Sequence, residues 1–262
     1  MMRTTVTALV SLSLISTDQT INARSSRRDR NDYPEINKAF KDWGRNYYWK
    51  SYDCRTDDQY DLTMFRILGK SKRKKTNNQW SKGVVLLLHG FSKDAYTWFD
   101  HRRGDVTKPF LPTMLHDRGY DVWIGNYRGT RYSLTHKDWD PIDNNLDARE
   151  YFDYEATDIA KNDIPAMVKL IMDTQALAKL RTGVPCKKIN FIGHSHGAAV
   201  MLAAMSYTVK SDRYVSQMIG VEPCLISSPD NYYPGLDDNS YLGFAVAADL
   251  LQIYSVFGEN WQ

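Results

Sequence analysis

Lys187–Val209 reads KKINFIGHSHGAAVMLAAMSYTV, and this stretch decides the fold. Ile189, Phe191 and Ile192 make a short apolar run with the pattern of a buried strand. The run stops at Gly193-His194-Ser195-His196-Gly197. It gives way to a small-residue apolar run, Ala198–Met205, which reads as a helix packed close to that strand. Gly-x-Ser-x-Gly between a strand and a helix marks a serine on a sharp turn, its hydroxyl projecting from the bend. The chemistry dictates the residue types. A serine there takes strained dihedrals, so the residues two positions away must lack side chains. The helix start directs backbone N–H groups at whatever negative charge develops beside the serine. Alone the five-residue pattern is weak. Inside strand–turn–helix it points to Ser195 as a nucleophile, with Gly193 and Gly197 as the glycines of its turn.

A second site-like stretch lies upstream. Val84–Leu88 is a continuous apolar run, as in a strand covered on both faces, and it ends in His89-Gly90-Phe91-Ser92. A His-Gly pair at a strand's carboxyl end lets backbone come close to a nucleophile. The backbone N–H of Phe91 is then a candidate oxyanion donor, partnered by that of His196. His89 reads as a structural histidine that hydrogen-bonds this loop and, with Gly90, supports it. The Phe91 side chain is expected to line an acyl-binding pocket.

The remaining pattern places these stretches in one sheet. Pro34–Tyr48 has helical spacing, and Trp49–Cys54 and Tyr60–Leu68 read as two antiparallel strands. Phe110–Arg118 reads as a helix, Tyr120–Gly125 as a strand, and Tyr132–Pro141 as a long polar loop in which His136 stabilises its surroundings. Asp153–Leu180 reads as one amphipathic helix broken or kinked at Pro165, with Met167 and Met172 in the core. Val215–Val221 reads as a further strand ending at Glu222, a rim residue. Ser227–Ser240 reads as a loop and Tyr241–Phe257 as helical. Alternating strands and helices predict an α/β fold with a mostly parallel sheet and a ligand site at the strands' carboxyl ends.

Composition narrows the partners. A net charge of +3 over 262 residues argues against nucleic acid. The basic clusters RSSRRDR (24–30) and KSKRKK (70–75) read as a solvated arm and a charged loop. Val6–Ile15, followed by Ile21-Asn22-Ala23, resembles a secretory leader, which predicts a secreted or lysosomal protein. The three cysteines Cys54, Cys186 and Cys224 show no metal-ligand spacing and read as buried free thiols, so no metal is expected.

Four blocks together resemble the acid lipase family, the gastric and lysosomal acid lipases of the α/β-hydrolase fold. They are VVLLLHGFSKDAYTW (84–98), GYDVWIGNYRGTRYSLTHKDWDP (119–141), YFDYEATDIAKNDIPAMV (151–168) and KINFIGHSHGAAV (188–200). The resemblance covers roughly 48–223. It implies hydrolysis of carboxylic esters of lipids, such as acylglycerols or sterol esters, with transient contact with a lipid surface and no cofactor. It places the nucleophile at Ser195 and the oxyanion donors at Phe91 and His196. The family usually has Gln at the positions of His196 and Leu88. It also implies a triad acid and a histidine base after the serine, and no histidine follows His196. The expected organisation is a signal peptide at 1–23, a basic arm and helix at 24–46, an incomplete hydrolase core at 47–226 and the start of a cap at 227–262. The last strands and the triad acid and base are expected to be missing. A non-catalytic lipid- or partner-binding homologue is the alternative reading.

Overall fold

The apolar runs assemble into a single sheet because each can bury both faces only between helical layers. The structure is a computed structural model, and it describes residues 32–42, 47–69, 82–99, 110–142, 144–183, 185–207, 209 and 211–223. At the centre is β3 (Gly83–Leu88), buried at every position. It pairs in parallel with β4 (Tyr120–Gly125) on one side and with β6 (Ile189–His194) on the other. Beyond β6, β7 (Val215–Val221) is also parallel. Beyond β4, the antiparallel pair β2 (Tyr60–Gly69) and β1 (Tyr48–Arg55) completes the order β1-β2-β4-β3-β6-β7.

The pleat sorts β3 between two cores. Val84, Leu86 and Leu88 share a core with Met167 and Ile171 of α5 (Ile164–Thr182) and with Val200 and Met201 of α6 (His196–Tyr207). Val85 and Leu87 share the other with Ile36 and Phe40 of α1 (Pro34–Asp42), and with Phe99 and Phe110. The expected α/β-hydrolase architecture, a mostly parallel sheet with helices on its faces, is thus present. Here α1 belongs to a core layer. Phe40 stacks on Trp49, with 5.6 Å between ring centroids.

Several expectations need correction. The first helix ends at Asp42 rather than Tyr48, and Tyr48 opens β1. The expected loop 132–141 contributes a two-residue strand, β5 (Thr135–His136), paired with β2. A helix absent from the sequence reading, α3 (Asn145–Phe152), is capped by Asn144, whose Oδ1 accepts from the Leu146 N–H. Hydrophobic periodicity finds a buried stripe, and α3 buries only Tyr151. The single helix expected over Asp153–Leu180 is α4 (Ala156–Asp158), a π-helical turn (Ile159–Asp163) and α5. Pro165 sits in the first turn of α5, directly after the π-helical turn, and the backbone stays helical through Asp163 and Ile164, so the helix changes its winding there rather than breaking. Met167 is buried as expected, and Met172 is partly buried against the same core. Of the cysteines, Cys54 is buried and Cys186 is exposed, against the expectation. Cys224, the leader, both basic clusters and the expected loop and helix after Ser227 lie outside the described residues.

Candidate active site

Parallel strands end on one edge, so the carboxyl ends of β3, β4, β6 and β7 bring together residues distant in sequence. Ser195 sits between β6 and α6 at φ 50, a left-handed conformation that a serine rarely adopts. Backbone bonds on both its N–H and its carbonyl hold it there. Its N–H donates to the Val221 carbonyl at the end of β7 (2.9 Å), and its own carbonyl accepts from the Ala198 N–H (3.0 Å).

The flanking glycines lack side chains because there is no room for any, as the strained serine between them led us to expect, and their own dihedrals do not require glycine. Neither is at positive φ. A Cβ on Gly193 would lie 2.5 Å from the Ala198 backbone, and one on Gly197 would lie 2.3 Å from the His89 carbonyl oxygen. The helix start is pressed onto two strand ends, and only glycine leaves room. Gly90 is confined in the same way, because its Cβ would lie 2.9 Å from His194 Nδ1 and 3.2 Å from Ser195 Cβ. The loop after β3 therefore lies directly against the serine.

His89 is completely buried, and its Nδ1 donates to the Gly90 carbonyl at 2.9 Å, the loop-supporting role expected of it. Burial pushes its imidazole down to about 3, so it is neutral. Phe91 follows on the loop. Its side chain is 64% exposed and stands edge-on to the His196 ring at 5.9 Å, at the surface rather than lining a buried pocket. His196 is the first residue of α6, and burial lowers its imidazole to about 4. A titratable ring beside the serine is thus kept neutral in all but acidic solution. His194 Nε2 lies 3.7 Å from a carboxylate oxygen of Glu222, a solvent-exposed rim residue at φ 47. His136 lies elsewhere, stacked on Trp139 and hydrogen-bonded through Nε2 to the Asp58 carbonyl.

This geometry coincides with a family likeness. A family model described as the alpha/beta hydrolase fold matches residues 83–262, and one described as a partial alpha/beta-hydrolase lipase region matches residues 40–101. The chain belongs to the alpha/beta hydrolase family. Among its relatives, a probable lipase of Schizosaccharomyces pombe is 30% identical over 88% of the chain and 44% of its own length. A tear acid lipase-like protein of Mesocricetus auratus is 31% identical over 68% of the chain and 39% of its own length. The gastric triacylglycerol lipase of Rattus norvegicus is 30% identical over 65% of the chain and 38% of its own length. The chain thus spans less than half the length of these relatives.

The candidate site includes residues that the sequence reading did not single out. Asn126-Tyr127-Arg128 follows β4, and each residue makes a buried polar tie. Asn126 donates from Nδ2 to the Thr63 carbonyl and accepts from the Ala95 N–H, both at 2.8 Å. The Tyr127 hydroxyl donates to the Gly90 carbonyl at 2.7 Å. Arg128, 1% exposed, is paired with Asp58 and Asp163, both at 2.7 Å. The available signal was polar residues at the carboxyl end of a buried strand, directly beside the other site-like stretches.

The two buried histidines set an acid limit on the hydrolase fold. Their folded-state values lie below the ordinary 6.5, so the unfolded chain binds protons first as pH falls. Stability from keeping them neutral is complete above about pH 6.5 and is lost progressively towards about pH 3. We expect a loss approaching about 1.4 kcal/mol per pH unit from His89 alone. Denaturant titrations from pH 7 to 4 check this, and His89→Gln should flatten the slope.

Proposed function

We propose that this chain carries the nucleophilic centre of a lipase-type carboxylic ester hydrolase. Ser195 Oγ bonds to the ester carbonyl carbon and loses its proton to a base, and the carbonyl oxygen becomes an oxyanion. The Phe91 and His196 backbone N–H groups receive that charge, His89 and Gly90 hold the loop, and Gly193 and Gly197 permit the turn. The observation that carries this reading is the strained Ser195 at φ 50 with the Gly90 backbone packed against its side chain.

Among the described residues no base is hydrogen-bonded to the Ser195 hydroxyl, so the base that activates it lies outside them. The substrate class follows from the acid lipase likeness: lipid esters such as acylglycerols or sterol esters, met at a lipid surface and cleaved without a cofactor. The exposed Phe91 side chain on the loop beside the serine suits contact with a lipid surface. A secreted or lysosomal setting fits the same likeness and the leader-like N-terminus.

The test is covalent labelling by a fluorophosphonate, which needs an activated serine and an oxyanion site but no turnover. We expect one modification, at Ser195, and its complete loss in Ser195→Ala. A folded wild-type protein that resists the probe would sink the catalytic reading and leave a lipid-binding homologue in its place.

A further inference from the structure

The Gly90 carbonyl collects more donors than a loop carbonyl needs. The Tyr127 hydroxyl lies 2.7 Å away, His89 Nδ1 2.9 Å, and the Lys93 N–H 3.3 Å, the last closing a four-residue turn with Ser92 at φ 52. A trans peptide unit is planar, with its C=O and N–H pointing in opposite directions, and the described residues contain no cis peptide. Fixing the Gly90 oxygen therefore fixes the Phe91 N–H, which points the other way. The side of Gly90 marked by its absent Cβ is occupied by Ser195 and His194. Among the described residues the Phe91 N–H has no acceptor of its own.

Tyr127 also reaches the second donor's residue. Its ring lies tilted against the His89 ring at 4.1 Å and meets the His196 ring edge-on at 5.7 Å. Burial raises its phenol far above the ordinary tyrosine value, so the hydroxyl stays protonated and able to donate at neutral pH.

We propose that Tyr127 is a positioning residue for oxyanion stabilisation, its hydroxyl aiming the Phe91 N–H through the Gly90 carbonyl and its ring buttressing His196. The inference rests on the hydrolase reading above, and it assigns to a residue outside the reacting atoms the aim of one donor and the support of the other. Removing the hydroxyl leaves His89 and Lys93 on the same oxygen. The effect is therefore partial, where deleting an oxyanion donor outright costs about 10²–10³ in rate.

Tyr127→Phe keeps the ring and removes only the donor. In fluorophosphonate labelling of the full chain we expect the limiting inactivation rate to fall roughly five- to tenfold, the worth of one hydrogen bond, with the probe concentration at half-saturation unchanged. A merely structural tyrosine would lower the thermal midpoint and leave that rate alone. An unchanged limiting rate overturns the inference. Labelling of the wild type tests the hydrolase reading separately, because it does not depend on what Tyr127 does. If the wild type resists the probe, the Gly90 carbonyl ¹³C resonance decides. An upfield shift in Tyr127→Phe with faster exchange of the Phe91 amide supports the inference, and an unmoved resonance overturns it.

Discussion

Gly197→Ala should cost about 3 kcal/mol of stability or more and abolish labelling of Ser195. The added methyl would meet the His89 carbonyl oxygen at 2.3 Å and the Leu88 carbonyl oxygen at 2.6 Å. Both are main-chain atoms at the end of the most deeply buried strand, so no side chain can swing aside. Relief requires the start of α6 to lift from β3, which carries the His196 amide and Ser195 away from the Gly90 loop. Stability and reactivity therefore fall together. Gly220→Ala is the control. There the methyl would meet only side-chain atoms, Pro223 Cβ at 3.2 Å and Ala198 Cβ at 3.5 Å, and the cost should stay within about 1 kcal/mol. Equal losses in the two variants, read from denaturant midpoints, would mean that close approach is not what Gly197 provides.

What the sequence disclosed, and what it hid, follows from the range of each interaction. β3 and β6 were legible because apolar runs bounded by glycine and polar residues report burial on both faces, whatever the neighbours. The strand–turn–helix around Ser195 was legible because its constraints are local: a left-handed serine and glycines within two positions. The backbone those glycines are pressed against was not. Gly197 is fixed by carbonyls of Leu88 and His89, more than a hundred residues away in the chain, and a distance of that kind leaves no periodicity. α3 escaped for the opposite reason, since a helix that buries one tyrosine has no stripe to detect. Tyr127 and Arg128 were visible as residues, but their partners come from five separate segments around Asp58, Gly90, Tyr154, Asp163 and His196. In the resemblance to acid lipases the serine, the oxyanion loop and the Asn-Tyr-Arg stretch appear as separate blocks. The sheet makes them one edge.

Arg128→Leu should be among the most damaging substitutions outside the turn, and its damage should depend on pH. The guanidinium is 1% exposed, donates through Nη1 and Nη2 to both oxygens of Asp58, and lies 3.8 Å over the Tyr60 ring. Asp163 is wholly buried; its Oδ1 accepts from Arg128 Nε and its Oδ2 from the Arg128 backbone N–H, both at 2.8 Å. Removing the guanidinium leaves Asp58 able to turn to water but strands Asp163. A buried charge that loses its partner costs about 3–5 kcal/mol. Burial already pushes Asp163 up to about 6 from 3.8, with Arg128 holding it down against that push. In Arg128→Leu the folded value rises further. The folded state then binds the proton more tightly than the unfolded chain, so stability is greatest at low pH and falls as pH rises through the folded value. The variant should lose most at pH 8 and recover part of the loss near pH 5, opposite in sign to the acid limit set by His89. Asp163→Asn added to Arg128→Leu should remove that recovery and restore stability at pH 8, because an amide can stay buried without a counter-charge. If the single variant is equally weak at both pH values, packing of the guanidinium against Tyr60 and Tyr154, rather than neutralisation of Asp163, is what anchors the segment that carries Tyr127 to the site.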